Sequence, residues 1–309
     1  MKTTRSWRHW LALASLLGAA AAWTTTSANP LHGAETAQAL LAKHSAMQQA
    51  LTQSPFQRPL VLHANSSFQE PQGDVYAVIE HPFTTVGSTL RQPEHWCDVL
   101  MLQLNVKRCA VEREANAQGL KVAIGKKVEQ PLEDAIRIRF NYALRAAQPD
   151  YLSLEINAPE GPLGTRDYRL TLEAIPLDAR RSFMHMSYSY TNGLTARLAT
   201  RAYLATSGRD KIGFSVAGQD AHGHPVYVGG IQGVAERNAM RYFLAIEAFL
   251  AAEAMPPEQR ADKRLRTWFA ATERYPRQLH EMDAADYLKM KRRQLQQVSS
   301  ASPVLSAVR

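Results

Sequence analysis

His222 and His224 in DAHGHPVY form the one H-x-H of the chain, with Asp220 close by. Two imidazoles and a carboxylate can hold a divalent metal, but no third firm ligand is in sight, so a polar loop is favoured. Met184, His185 and Met186 stand in a strand-like run. Adjacent strand residues point to opposite faces, so these three do not converge, and packing is the better reading. Arg137, Arg139 and Asn141 share one strand face that Glu155, Arg169 and Glu173 can join. Inside a cavity such charges would need partners or an anionic ligand, and a solvated surface is favoured. Tyr188 and Tyr190 alternate with Ser187 and Ser189 and offer a hydroxyl to a cavity. The signatures of covalent and nucleotide chemistry are missing. There is no G-x-S-x-G, His280-Glu281 lacks the second histidine of H-E-x-x-H, and GGIQG at 229–233 lacks the lysine of a phosphate-binding loop.

The remaining reactive pair is Cys97 and Cys109, the two cysteines of the 309 residues. Their reading depends on compartment. Met1 to Trp23 has a basic head (Lys2, Arg5, Arg8) and the apolar run LALASLLGAAAAW, too short to span a bilayer, followed by small residues up to Ala28. This is the pattern of a cleaved signal peptide over residues 1–28, which predicts a periplasmic or secreted protein. An oxidising compartment favours a disulfide over free thiols, and the spacing does not suit zinc. Removing the three cations of the head from 36 Lys+Arg leaves 33 against 28 Asp+Glu, a net charge of +5. That modest excess allows transient contact with an anionic membrane surface, and no nucleic-acid module is present. With 45% hydrophobic and 21% charged residues, the chain can bury a sizeable core.

The elements that must position these residues follow from hydrophobic period. Leu31 to Gln53 reads as a helix, RPLVLHANSSF and GDVYAVIE as strands, and HPFTTVGSTLRQPEHWCDVLML as two short helices broken at Gln92-Pro93. From Asn105 to about Ser215 the period is two. AIRIRFNYAL puts Ile136, Ile138, Phe140, Tyr142 and Leu144 on one face, and YLSLEIN and DYRLTLEAI repeat the alternation. Turn-rich connections imply an antiparallel meander, continued by RSFMHMSYSY and LTARLATRAYLAT. Gly233 to Ala252 is a strongly apolar helix, with only a narrow strip of Glu236, Arg237, Arg241 and Glu247 expected in solvent. Its second partner is expected in the charged helical tail beyond Pro256, through Leu265, Trp268, Phe269, Leu279, Met282, Tyr287 and Leu288. The end, 299–309, is expected to fray.

A strand, a helix pair, an antiparallel sheet and one long helix, carried by Gly73 to Leu100 and by GVAERNAMRYFLAIEAFLAA, resemble the START-like (SRPBCC) superfamily. The resemblance covers roughly Arg58 to Ala252 and implies an α+β helix-grip fold. It divides the chain into an N-terminal helical segment (29–57), a START-like domain (58–252) and a helical extension (253–309). It also implies an apolar ligand, lipid or sterol-like, held between sheet and long helix, with no cofactor and no catalytic residues required. The expected lining is Ile138, Phe140, Tyr142, Leu154, Leu170 and Tyr188 from the sheet, and Tyr242, Ile246 and Phe249 from the helix. The function expected is binding of such a ligand, with its carriage as a further expectation. The alternatives are an envelope interaction protein without a cavity, and a cyclase or hydrolase using the same space.

Overall fold

The computed structural model describes residues 30–114, 117–206 and 208–300. The expected signal peptide over 1–28 and residues 301–309 of the expected frayed end lie outside them. The chain runs α1 (Pro30–Ala46), α2 (Gln48–Thr52), β1 (Leu60–Ala64), β2 (Gln72–Ile79), α3 (Phe83–Leu90), α4 (Pro93–Met101), β3 (Val106–Glu114) and β4 (Ala117–Ile124). It continues through β5 (Ile136–Gln148), β6 (Tyr151–Glu160), β7 (Thr165–Pro176), β8 (Ser182–Asn192), α5 (Leu194–Ala205), β9 (Val216–Gln219), β10 (Pro225–Tyr227) and α6 (Gly230–Leu250). The tail is α7 (Pro257–Thr272), α8 (Pro276–Leu279) and α9 (Ala284–Ser300).

Strands β1 to β8 form one antiparallel sheet in the order β1-β2-β8-β7-β6-β5-β4-β3. The helix pair α3–α4 carries the chain from β2, near one edge, to β3 at the other. From β3 onward each strand pairs with its successor, and β8 closes on β2. The sheet's inner face carries Val75, Ala77, Leu120, Val122, Leu154, Leu172, Met184 and Met186, all buried in the main core with α6. Period-two alternation makes that face apolar while Arg139 and Asn141 of β5 look outward. Ile136 and Leu144 fall at the margins of this packing and are largely exposed. At Leu144 the register with β6 shifts, so the alternation of β5 does not run to its end.

α6 lies along β2, β1 and β8. Gly73 of β2 permits the contact, since a Cβ there would fall 2.8 Å from the Ala235 carbonyl oxygen and 2.9 Å from Ala239 Cβ. The other side of α6 is covered by α7, and Leu265, Trp268, Leu279, Tyr287 and Met290 of the tail join the main core. Phe269, Met282 and Leu288 pack against it half-buried. Buried polar anchors fix the tail. The Tyr287 hydroxyl donates to Leu102 O at 2.9 Å, and the Lys291 ammonium to the Val106 carbonyl at 2.7 Å and to the carbonyl of Gln103. Arg264 spans Asp98 (2.7 Å) and Glu253 (2.8 Å) with its guanidinium 3.9 Å from the Phe249 ring. A second, smaller core sits on the outer face, where Leu40, Met47 and Leu51 of α1–α2 cover Val78, Tyr151, Ile175 and Phe183.

Two expectations are corrected. LTARLATRAYLAT does not continue the meander but forms α5, because β8 ends at Asn192 and Gly193, and the following Leu, Ala and Arg residues are strong helix formers. The strip Glu236, Arg237 and Arg241 on α6 is buried rather than solvated. Glu236 accepts the backbone N–H groups of Phe214 and Ser215, and Arg237 donates to Ile212 O at 2.9 Å, so the strip is capped by the loop before β9. Polar residues on an apolar helix then mark a loop-docking seam.

Cys97 of α4 and Cys109 of β3 are disulfide-bonded, with Cα atoms 5.2 Å apart, and both are buried. The bond ties the helix pair to the sheet edge. Reduction is expected to lower stability by about 3 kcal/mol through the freed loop entropy of the unfolded chain. Urea unfolding with and without reductant measures this, and equal midpoints would contradict it.

Candidate functional site

Because α6 keeps to the β1-β2-β8 side, the inner face of β4 to β7 curves past it and encloses a space. Its more apolar lobe, about 150 Å³, is lined by Leu100 of α4, Ile124, Phe140, Ile156, Tyr168, Leu170, Tyr188 and Tyr242, with Asn105, Pro162 of the β6–β7 turn and the exposed Arg169. A polar lobe of about 90 Å³ shares Asn105, Tyr188 and Tyr242 as walls and adds Gln103, Leu104, Lys127, Asn238 and Arg241. The two lobes therefore meet at a tyrosine pair. Larger and more open depressions lie over Arg108, Lys121, Arg137 and Arg139 on β3–β5 and between α6, α7 and the β1–β2 edge, beside Arg58, His81 and Glu247.

The junction is aromatic. Tyr188 and Tyr242 lie with ring centroids 4.9 Å apart. Tyr168 stacks on Tyr190 at 5.3 Å and 12°, and Phe140 meets Tyr168 edge-on at 6.3 Å. Burial raises the pKa of Tyr168, Tyr188, Tyr190 and Tyr242 above the usual phenol value, so all four stay neutral donors. Tyr188 and Tyr242 retain some surface although protein surrounds them closely; that surface faces the cavity they line.

Of the nine residues expected to line a cavity, Phe140, Leu170, Tyr188 and Tyr242 stand on this wall. Ile138, Tyr142, Leu154, Ile246 and Phe249 are packed into the core around it. Tyr142 donates to Arg91 O at 2.8 Å, and Phe249 faces the tail, against Arg264 and His95. Tyr168 follows from the β7 alternation, but Asn105, Lys127, Asn238 and Arg241 carried no sequence signal. They converge only because α6, the β4–β5 connection and the tail meet there.

The other candidates fall elsewhere. Asp220 accepts the backbone N–H groups of His222 and His224 at 2.8 and 2.9 Å, which makes DAHGHPVY the turn of the β9–β10 hairpin. Among the described residues no three His, Cys, Asp or Glu side chains are placed to hold a metal ion. Arg137 and Arg139 are exposed on the outer face, where Arg139 pairs with Glu112 at 2.9 Å. His185 also faces outward, clamped between Asp74 (3.0 Å from Nε2) and Glu173 (3.3 Å from Nδ1) under the Tyr76 ring at 4.2 Å. Tyr151 donates to the same Glu173 carboxylate.

No family model and no curated protein matches the chain. Solved structures do. An aromatase/cyclase from Streptomyces sp. R1128 is 12% identical, covers 44% of this chain and 85% of its own, and has a TM-score of 0.32. A conserved protein from Geobacillus kaustophilus is 11% identical, with 58% and 95% covered and a TM-score of 0.33. Human StAR-related lipid transfer protein 5 is 8% identical, with 57% and 91% covered and a TM-score of 0.29. The fold itself is read from this chain's own strand order and the long helix seated on the sheet: it is α+β, an antiparallel sheet gripping α6 in the helix-grip arrangement. Among the described residues no helix is long and apolar enough to cross a membrane.

The His185 clamp has a defined pH signature. Burial opposes its charging, but the hydrogen bonds and charges of Asp74 and Glu173 outweigh that and raise its pKa above 6.5. The same contacts lower the pKa of both carboxylates. The histidine's contribution is complete below its unfolded value and is lost as pH rises through the raised one. The carboxylates' contribution is lost as pH falls through their lowered values. His185→Gln is therefore expected to cost about 1–2 kcal/mol near pH 6, with the cost fading toward alkaline pH. Thermal unfolding across pH checks this, and a pH-independent difference would contradict it.

Proposed function

We propose that this chain is an exported binding protein for a hydrophobic small molecule held between α6 and the sheet, with residues 58–252 as the binding unit and carriage of the ligand as its task. The observation that carries the reading is the two-lobed space itself, apolar and aromatic at one end, polar at the other. Burying apolar ligand surface there stabilises by about 25 cal/mol per Å² without any covalent step. The leader pattern of residues 1–28 and the Cys97–Cys109 disulfide support a periplasmic or secreted location.

The size of the space narrows the ligand. Pockets for drug-sized molecules run to about 300–1,000 Å³. The lobes here, about 150 and 90 Å³, fit a single ring or short chain rather than a sterol or diacyl lipid. The alternatives are weaker. A purely structural role would have the space filled once the tail covers α6, yet the tail reaches the polar lobe only through the pairing of Glu281 with Arg241 and Lys127 and supplies none of the residues that line either lobe. A cyclase or hydrolase would want a general base on the wall, and no histidine or carboxylate among the described residues lines either lobe.

Leu170→Phe fills the apolar lobe from a core position and is expected to leave the fold intact while weakening binding of octanol, followed by calorimetry, about tenfold or more. Unchanged affinity in the folded variant would sink the reading.

A further inference from the structure

The polar lobe is over-supplied with positive charge. Glu281, between α8 and α9, is a single carboxylate approached by three cations: Lys127 and Arg241, whose Nη2 is 2.7 Å away, and Lys211 at 3.5 Å. Arg237 lies one turn before Arg241 on the same helix face and repels it. A buried cation needs an anion or several acceptors. Arg241 keeps only 8% of its side-chain surface, its Nε is buried without a hydrogen-bond partner, its Nη2 also donates to Leu279 O at 3.4 Å, and the residue lines the lobe. Lys127 retains 43% of its side-chain surface, so water reaches its stem, while its ammonium contacts Glu281 and lines the same lobe. Burial and the Arg241 charge lower its pKa; Glu281 offsets only part of that, and the partial exposure moderates it further. Asn105 and Asn238 add neutral polar groups, and Tyr188 and Tyr242 stand where the polar lobe meets the apolar one.

We propose that the cavity takes an acidic amphiphile, a single-chain or single-ring molecule whose carboxylate or phosphate oxygens sit on Arg241 and Lys127 while its apolar body lies against Phe140, Ile156, Leu170 and Tyr168. This rests on the binding reading above and specifies its ligand. An anionic head in the lobe can accept from the Arg241 guanidinium and the Lys127 ammonium together, and charge-assisted bonds away from bulk water are the strong ones. Glu281, supplied by the helical extension, then holds the cation set in place rather than neutralising it. Excess charge in the empty site becomes preorganisation for the ligand.

The test compares octanoate, octyl phosphate and octanol on the oxidised full-length protein by titration calorimetry, with acetate and inorganic phosphate as chainless controls. The acids, or one of the two, are expected to bind at least about tenfold tighter than octanol, the carboxylate and phosphate arms assigning the head. Lys127→Gln and Arg241→Gln are each expected to lower the ratio of acid to octanol affinity about tenfold. Lys127→Gln carries the test if Arg241→Gln does not fold, since Lys127 is at the more exposed side of the cluster. Equal affinity for acid and octanol, or variants that bind acid as the parent does, would overturn the acidic-head proposal and leave the cavity reading standing. Acetate or phosphate binding as tightly as the chain-bearing acids would reduce the lobe to a simple ion site and overturn the proposal. If nothing in the panel binds, octanol included, the cavity reading falls with it.

Discussion

The closeness of α6 to β2 at Gly73 governs the rest of the molecule. A side chain at that glycine would collide with Ala235 and Ala239, so its absence lets the helix settle against β2, β1 and β8. An antiparallel sheet of this length cannot stay in contact with a straight helix along its whole width, because the strands twist. Strands β4 to β7 therefore face α6 across a gap, which α4 narrows from one side and the tyrosines narrow from within. The disulfide holds α4, and with it Leu100, at that gap.

A helix as apolar as α6 needs a second partner, and the tail supplies one at the cost of burying charge. The tail solves this locally. Lys291 is wholly buried, and its ammonium finds backbone carbonyls of the α4–β3 connection; burial pushes its pKa well down. Arg264 finds two carboxylates and an aromatic face. Arg241 differs from both in lining the polar lobe while sharing its one carboxylate, Glu281, with Lys127 and Lys211. Lys291 and Arg264 serve the fold, and Arg241 is the cation proposed to serve a ligand.

The order of elements was legible because hydrophobic period changes cleanly along the chain, as in AIRIRFNYAL, and because Pro82 and Pro93 mark helix starts. The apolar wall was legible in part for the same reason: inward strand positions can be counted, but a count does not say which of them meet a void and which meet a neighbour, as Phe140 and Ile138 illustrate. LTARLATRAYLAT misled because Leu194 and Leu198 fit both a strand face and an i, i+4 helix pair. The polar lobe was not legible at all. Lys127, Arg241 and Glu281 are over one hundred residues apart at the extremes, and Arg241 looks like a solvent-facing residue until the loop and tail that cover it are known.

The central claim is that the space between α6 and β4–β8 is where a ligand sits. Methyl-resolved nuclear magnetic resonance of the protein titrated with octanol tests it most directly. Shift changes are predicted to concentrate at the methyl groups of Leu100, Ile124, Ile156 and Leu170, with Leu60, Ile79 and Leu265 unmoved. Changes confined to the exposed Leu194 and Leu198 of α5, or spread over the outer face, would contradict it.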